Sequence, residues 1–146
     1  MKLTGAWTRE GVDDFLTTTV PVRLSCRTPD DHLWMLSLWY LWEDGSLWCA
    51  TGADADVVRY LAYDDEVAFE VSTNDPPYRG VRGRGYADID ADADKTLLRR
   101  LLHRYLGGTD STLAERLLSP ERDEVRIRID PVRVHSWDYS SRMDGR

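Results

Sequence analysis

The stretch EVRIRIDPVRVHSW, Glu124 to Trp137, constrains the fold more than any other. Val125, Ile127 and Ile129 alternate with Arg126 and Arg128. A period of two sets successive side chains on opposite sides of an extended backbone, so the segment reads as one or two closing strands with an apolar face. The same beat recurs in VPVRLSC, Val20 to Cys26, and in EVAFEVST, Glu66 to Thr73, where Val67, Phe69 and Val71 face inward. LWMLSLWYLW, Leu33 to Trp42, is apolar throughout but too short for a membrane helix, and its aromatics favour a buried strand. EDGS, Glu43 to Ser46, puts Asp-Gly at the centre of a hairpin turn, and LWCAT, Leu47 to Thr51, is the returning strand.

RGVRGRGYADI, Arg79 to Ile89, looks at first like a glycine-rich phosphate loop. Such a loop follows a strand and opens a helix at once. Here Gly80, Gly83 and Gly85 follow a Pro-Pro turn, and the extended pattern continues into YADI. They are therefore strand glycines, marking a bulge, a sharp bend, or the close approach of a ligand or another backbone. Helices are expected at Thr8–Thr17, Asp54–Tyr63, Asp94–Leu106 and Ser111–Leu118. The third carries an apolar stripe of Leu97, Leu98, Leu101, Leu102 and Tyr105, and ends at Gly107-Gly108. Expected caps are Thr8, Asp54 or Asp56, and Asp110 or Ser111. The tail from Ser140 is expected to be loose.

Six or seven strands with short helices in a 146-residue chain fit one mainly β, α+β domain over residues 1–146: an antiparallel, closed or half-closed barrel with helices at its ends. The opening residues lack the apolar core of a signal peptide, so a cytoplasmic protein is expected. Cys26 and Cys49 fall in predicted strands without metal-ligand spacing and read as buried thiols. His32, His103 and His135 lie in different elements, so no metal site is expected. The formal net charge of −7 argues against binding a nucleic-acid backbone. The chain holds 19 Asp and 17 Arg but only 2 Lys, a trade that keeps a surface hydrated in salt; a salt-loving, haloarchaeal source is expected, the alternative being an ordinary acidic protein.

Taken in order, VPVRLSC, LWMLSLWYLWEDGSLWCATG, VVRYLAYDDEVAFEV and PPYRGVRGRGYADI resemble the pyridoxamine-phosphate-oxidase-like family of flavin-binding split β-barrels. The resemblance covers Val20 to Ile89, about half the chain. It implies a six- or seven-stranded antiparallel split barrel flanked by short helices, and a homodimer with FMN in a groove between the subunits. An aromatic-rich hairpin larger than one small core needs also points to a homodimer. A deazaflavin is the alternative cofactor. Members that clamp a phosphate place Ser/Thr-Arg-Lys four to six residues after the strand-ending Thr; counted from Thr51, this chain has Ala55, Asp56 and Val57. The cations common in the preceding strand are replaced by Trp34 and by Trp39 or Tyr40.

The candidate cofactor ligands are therefore Ser37, Thr51, Arg59, Arg79, Arg82 and Arg84. Guanidinium forks suit phosphate oxygens, although in so acidic a chain these arginines have an alternative in pairing with surface Asp. Trp34 and Trp42 fall on one side of their strand and Trp39 on the other; they either pack in the core or stack on a flavin or a second subunit. Two functions are compatible with these residues: an FMN-dependent oxidoreductase, or a non-enzymatic dimeric barrel that has lost its cofactor or binds another small molecule. The Asp excess yields a direct expectation. Thermal stability should rise between dilute buffer and about molar salt, where the screening length falls to about 3 Å. A melting temperature that does not move between the two would overturn the salt-loving reading.

Overall fold

The computed structural model describes residues 1–144, so Gly145 and Arg146, the end of the tail expected to be loose, lie outside the described residues. Strands run at Lys2–Gly5 (β1), Val22–Arg27 (β2), Leu33–Leu38 (β3), Leu41–Glu43 (β4), Ser46–Gly52 (β5), Glu66–Ser72 (β6), Arg79–Ala91 (β7) and Glu124–Asp138 (β8). Helices run at Arg9–Phe15 (α1), Asp56–Tyr63 (α2), Thr96–Leu106 (α3), Thr112–Leu117 (α4) and Ser140–Met143 (α5). The strands form one sheet in the order β3-β2-β6-β7-β8-β5-β4, with β1 added in parallel to β8 and every other pairing antiparallel. This is the antiparallel α+β architecture expected, with eight strands among the described residues rather than six or seven.

The two extra strands have separate causes. The N-terminal residues pair with Arg133–Ser136, and Trp7 N–H and Ala6 N–H donate to Ser136 Oγ and O. The run Leu33–Trp42, expected to be one buried strand, breaks at Trp39–Tyr40. Tyr40 is fully buried, and its N–H donates to Tyr105 Oη at 3.2 Å instead of to a neighbouring strand. Trp39 stacks on the Tyr105 ring, with centroids 5.1 Å apart. Nor is the run buried on both sides. Trp34, Leu36 and Leu38 pack on the core, but Leu33 and Met35 are 75% and 62% exposed.

The interior is filled from every side of the curved sheet. Val22, Leu24, Val67, Phe69, Val71, Val81, Ile127, Ile129 and Val134 meet Val12 and Phe15 of α1, Leu16 just after it, and Val57 and Leu61 of α2. The carbonyls left unpaired beyond the end of α1 are satisfied from elsewhere in the fold. Tyr40 Oη lies 3.1 and 3.0 Å from Leu16 O and Thr18 O, and the Arg104 guanidinium donates to the same two oxygens. A smaller cluster of Leu98, Leu102 and Ala114 packs α3 and α4 around Trp39 and Ala50.

The helix ends correct several expectations. Thr8 precedes α1 without a side-chain capping bond. Ala55, not an Asp, precedes α2. Ser111 does cap α4, accepting from Ala114 N–H. The helix expected from Asp94 begins at Thr96, after a 3-10 turn at Ala93–Lys95, and the buried Asp92 carboxylate accepts from Leu97 and Leu98 N–H at 2.9 and 3.0 Å. The first part of the tail is not loose, because Ser140–Met143 forms a helical turn.

The glycines of β7 behave as strand glycines and are required by backbone. A Cβ on Gly83 would lie 2.4 Å from Arg133 O and 2.6 Å from Phe69 Cζ; one on Gly85 would lie 2.2 Å from Asp130 O. Gly85 sits where the β7–β8 register slips, Arg84 facing Arg133 and Gly85 facing Pro131, so that Val132 is the extra residue of a bulge. Replacing Asp92 by Ala removes the acceptor for two buried amides. It should cost about 1–2 kcal/mol in urea denaturation, and a loss within error of zero would show that the cap is dispensable.

Candidate functional site

Residues directly opposite across strands share a face of the sheet. On the face turned away from the core, one row runs Ser37, Arg23, Glu70, Arg82, His135, Thr4. The next runs Met35, Ser25, Ala68, Arg84, Arg133, Lys2. These two rows therefore carry Lys2, Arg23, Arg82, Arg84 and Arg133 against the single carboxylate of Glu70. An open concavity of about 760 Å³ lies over them, lined by Thr4, Arg23, Ser25, Met35, Ala68, Phe69, Glu70, Arg82, Gly83, Arg84, Arg133 and His135.

Nine described arginines, Arg79, Arg99, Arg104, Arg116 and Arg142 among them, have no ion pair within the described residues, and four of the nine converge on this concavity. Arg9, Arg27, Arg59, Arg100, Arg122, Arg126 and Arg128 each pair with an Asp or Glu. Among the described residues, Arg23, Arg82, Arg84 and Arg133 make no such pair. Arg23 donates to Asn74 Oδ1 at 3.1 Å, and the Arg82 guanidinium lies 5.5 Å from the Trp137 ring centroid. Glu70 accepts from Ser72 Oγ at 2.9 Å, and His135 Nδ1 lies 2.9 Å from Thr4 Oγ1. The alternative of pairing with surface Asp is thus not what Arg82 and Arg84 do. Guanidiniums with unused donors over a floor of Ala68, Gly83 and Met35 can accept an anionic group joined to a flat apolar one.

Residues 8–143 match the family model described as pyridoxamine 5'-phosphate oxidase. The chain belongs to that family. The match is wider than the resemblance of Val20 to Ile89, since it takes in α1, the three helices α3, α4 and α5, and all of β8. Solved structures share the pyridoxamine 5'-phosphate oxidase fold seen here. A conserved hypothetical protein from Mycobacterium tuberculosis aligns at 24% identity over 92% of this chain and 86% of its own, with a TM-score of 0.76. An F420 reductase aligns at 24% identity over 87% of this chain and 98% of its own, with a TM-score of 0.73. A FAD-binding protein from Mesorhizobium loti aligns at 17% identity over 89% of this chain and 93% of its own, with a TM-score of 0.63. A comparison with curated proteins finds no match.

The site residues expected from sequence are scattered over this family member. Arg82 and Arg84 line the concavity, and Ser37 stands opposite Arg23 at its margin. Thr51 is on β5, opposite Val125. Arg59 lies on α2, 3.2 Å from Asp56 and over the Tyr60 ring. Arg79 lies at the start of β7, over the Phe15 ring. At the positions where relatives clamp a phosphate, Val57 is buried in the core and Asp56 pairs with Arg59. Trp34, where a cation is common, packs edge-on against Tyr60 with centroids 5.1 Å apart. Sequence reasoning missed Arg23, Arg133, Lys2 and Thr4, and weighed His135 only as a metal ligand. Their signal was strand parity: each occupies an outward position of an alternating run.

Among the described residues no cluster of three or more His, Cys, Asp or Glu is placed to hold a metal, and no helix is long and apolar enough to cross a membrane. Both thiols are buried as expected. Burial pushes Cys49 up to about 12; burial, helped by the Asp64 carboxylate, raises Cys26 as well. Neither is a thiolate near neutral pH. A disulfide reagent at pH 8 should therefore label the folded protein slowly and the unfolded protein at once; rapid labelling of the folded state would contradict this burial.

Proposed function

We propose that the outer face holds a phosphate-bearing flavin, FMN or a deazaflavin, between two copies of the chain, and that the protein is a flavin-dependent oxidoreductase. The observation that carries this reading is the set of guanidiniums of Arg23, Arg82, Arg84 and Arg133 left without carboxylates in a chain of net charge −7. Membership of the pyridoxamine 5'-phosphate oxidase family supports it, as do structural neighbours named as an F420 reductase and a FAD-binding protein.

The residues fit such a group in kind. Arg84 and Arg133, opposite each other on β7 and β8, are the phosphate ligands, with Arg23 and Arg82 beside them. Ala68, Gly83 and Met35 offer the apolar floor for a ring system. With Nδ1 of His135 engaged by Thr4, Nε2 is the nitrogen left to meet a ligand. A bound flavin supplies the electron transfer; the chain binds, orients and excludes water. One sheet face is only a floor, and a second copy supplies the roof. A second copy is also what would bring Thr51, Arg59 and Arg79, which stand outside this lining, towards the same ligand. Asp56 and Val57 in the phosphate-clamp positions favour the second reading, a dimeric barrel without a cofactor.

FMN titration separates the two. Each charge-assisted hydrogen bond lost should cost about 1.5–3 kcal/mol, so Arg84→Ala and Arg133→Ala should each weaken FMN by roughly 10- to 100-fold. Arg59→Ala and Arg79→Ala serve as comparisons and should change affinity by less. Binding indifferent to Arg84 and Arg133 would move the phosphate site off this face. No binding of FMN or a deazaflavin at millimolar concentration would favour the cofactor-free reading.

A further inference from the structure

The outer face is pulled in two directions. It exposes Leu33, Met35 and Tyr86, apolar surface that gains by being covered. The same face carries Lys2, Arg23, Arg82, Arg84 and Arg133, with Glu70 among them and Glu66 and Asp130 at the margin on either side of Tyr86, which leaves an excess of positive charge. A two-fold interface presents the same patch from both sides. Joining two such faces doubles the excess of positive charge and takes part of it out of water, which opposes assembly. Eight of the 26 carboxylates pair with Arg9, Arg27, Arg59, Arg100, Arg122, Arg126 and Arg128, and none of the eight pairs with an arginine of the concavity.

Resting on the reading that a second copy covers this face, we infer that at low ionic strength the two copies assemble weakly unless a phosphate-bearing anion lies between them, so that ligand binding and dimerisation form one coupled equilibrium. A phosphomonoester brings close to two negative charges at neutral pH. An anion that binds the dimer and not the monomer draws the chain into dimers by mass action, and the dimer tightens the anion by the same factor. Salt substitutes in part. At about 0.1 M the screening length of about 10 Å leaves the arginines in each other's field, and at about 1 M it falls to about 3 Å.

Sedimentation equilibrium at a matched ionic strength of about 0.1 M tests this, with chloride alone, with saturating FMN and with inorganic pyrophosphate. The dimer dissociation constant should fall about tenfold or more with either phosphate compound, the equivalent of about 1.4 kcal/mol. An Arg84→Gln/Arg133→Gln variant, both positions being exposed, should dimerise more tightly than the parent without ligand and gain little from FMN; circular dichroism confirms that it folds. A tight ligand-free dimer at low salt overturns the inference. So does an unchanged dimer constant when FMN binds, an outcome that leaves the flavin reading standing. A pyrophosphate effect with no flavin binding supports the coupling and overturns the flavin reading. A monomer under every condition overturns both.

Discussion

The pairing of β7 with β8 is the constraint on which the rest of the structure depends. It runs the whole length of β7, from Arg79 to Ala91. One edge of this ribbon carries β6, β2 and β3; the other carries β5 and β4 along the first half of β8 and β1 along the second. The ribbon tolerates such crowding only because side chains are missing where backbones nearly touch. Gly83 leaves room for Arg133 O and the Phe69 ring, and Gly85 for Asp130 O. The bulge beside Gly85 lies where β8 passes from its β5 partner to its β1 partner. The same two strands turn Val81, Ile127, Ile129 and Val134 into the core and Arg82, Arg84, Arg133 and His135 out of it.

Charge is distributed as unevenly as packing. Seven of the described arginines sit beside Asp or Glu, as at Arg126–Asp90 and Arg128–Asp88 across β7 and β8. Beyond the bulge the same two strands set Arg84 opposite Arg133 and Arg82 opposite His135, with no carboxylate partner for these arginines among the described residues. Exposed ion pairs of the first kind contribute little to stability. Their consequence here is that they consume carboxylate, leaving one face of an acidic molecule locally basic. Arg82, Arg84 and Arg133 are exposed and hydrated, so their donors cost the monomer little and stay open to an anion.

Much of the fold was legible because alternation is a local signal. β2, β6, β7 and β8 follow from their period of two. Asp44 and Gly45, both with positive φ, form the hairpin turn that the Asp-Gly pair announced. The stripe on α3 and its end at Gly107 also follow from neighbours in sequence. What escaped depended on partners distant in the chain. Tyr40 leaves the sheet because Arg104, Tyr105 and the end of α1 surround it. Asp92 caps α3 from outside the helical pattern. The candidate site escaped for the same reason: its rows draw residues from β1, β2, β3, β6, β7 and β8, and only register brings them together. Thr51 and Arg59, expected from the family's clamp, lie away from this face, beside a buried Val57 and an Asp56 that pairs with Arg59.

The central claim is a location, the outward face between β2 and β8, and a crystal structure of the chain grown with saturating FMN tests it most directly. The account requires the phosphate within hydrogen-bond distance of Arg84 or Arg133, with the ring system over Ala68 and Gly83. A phosphate held instead at the start of α2, against Thr51 and Arg59 of the same copy, with the outward face empty, would contradict it.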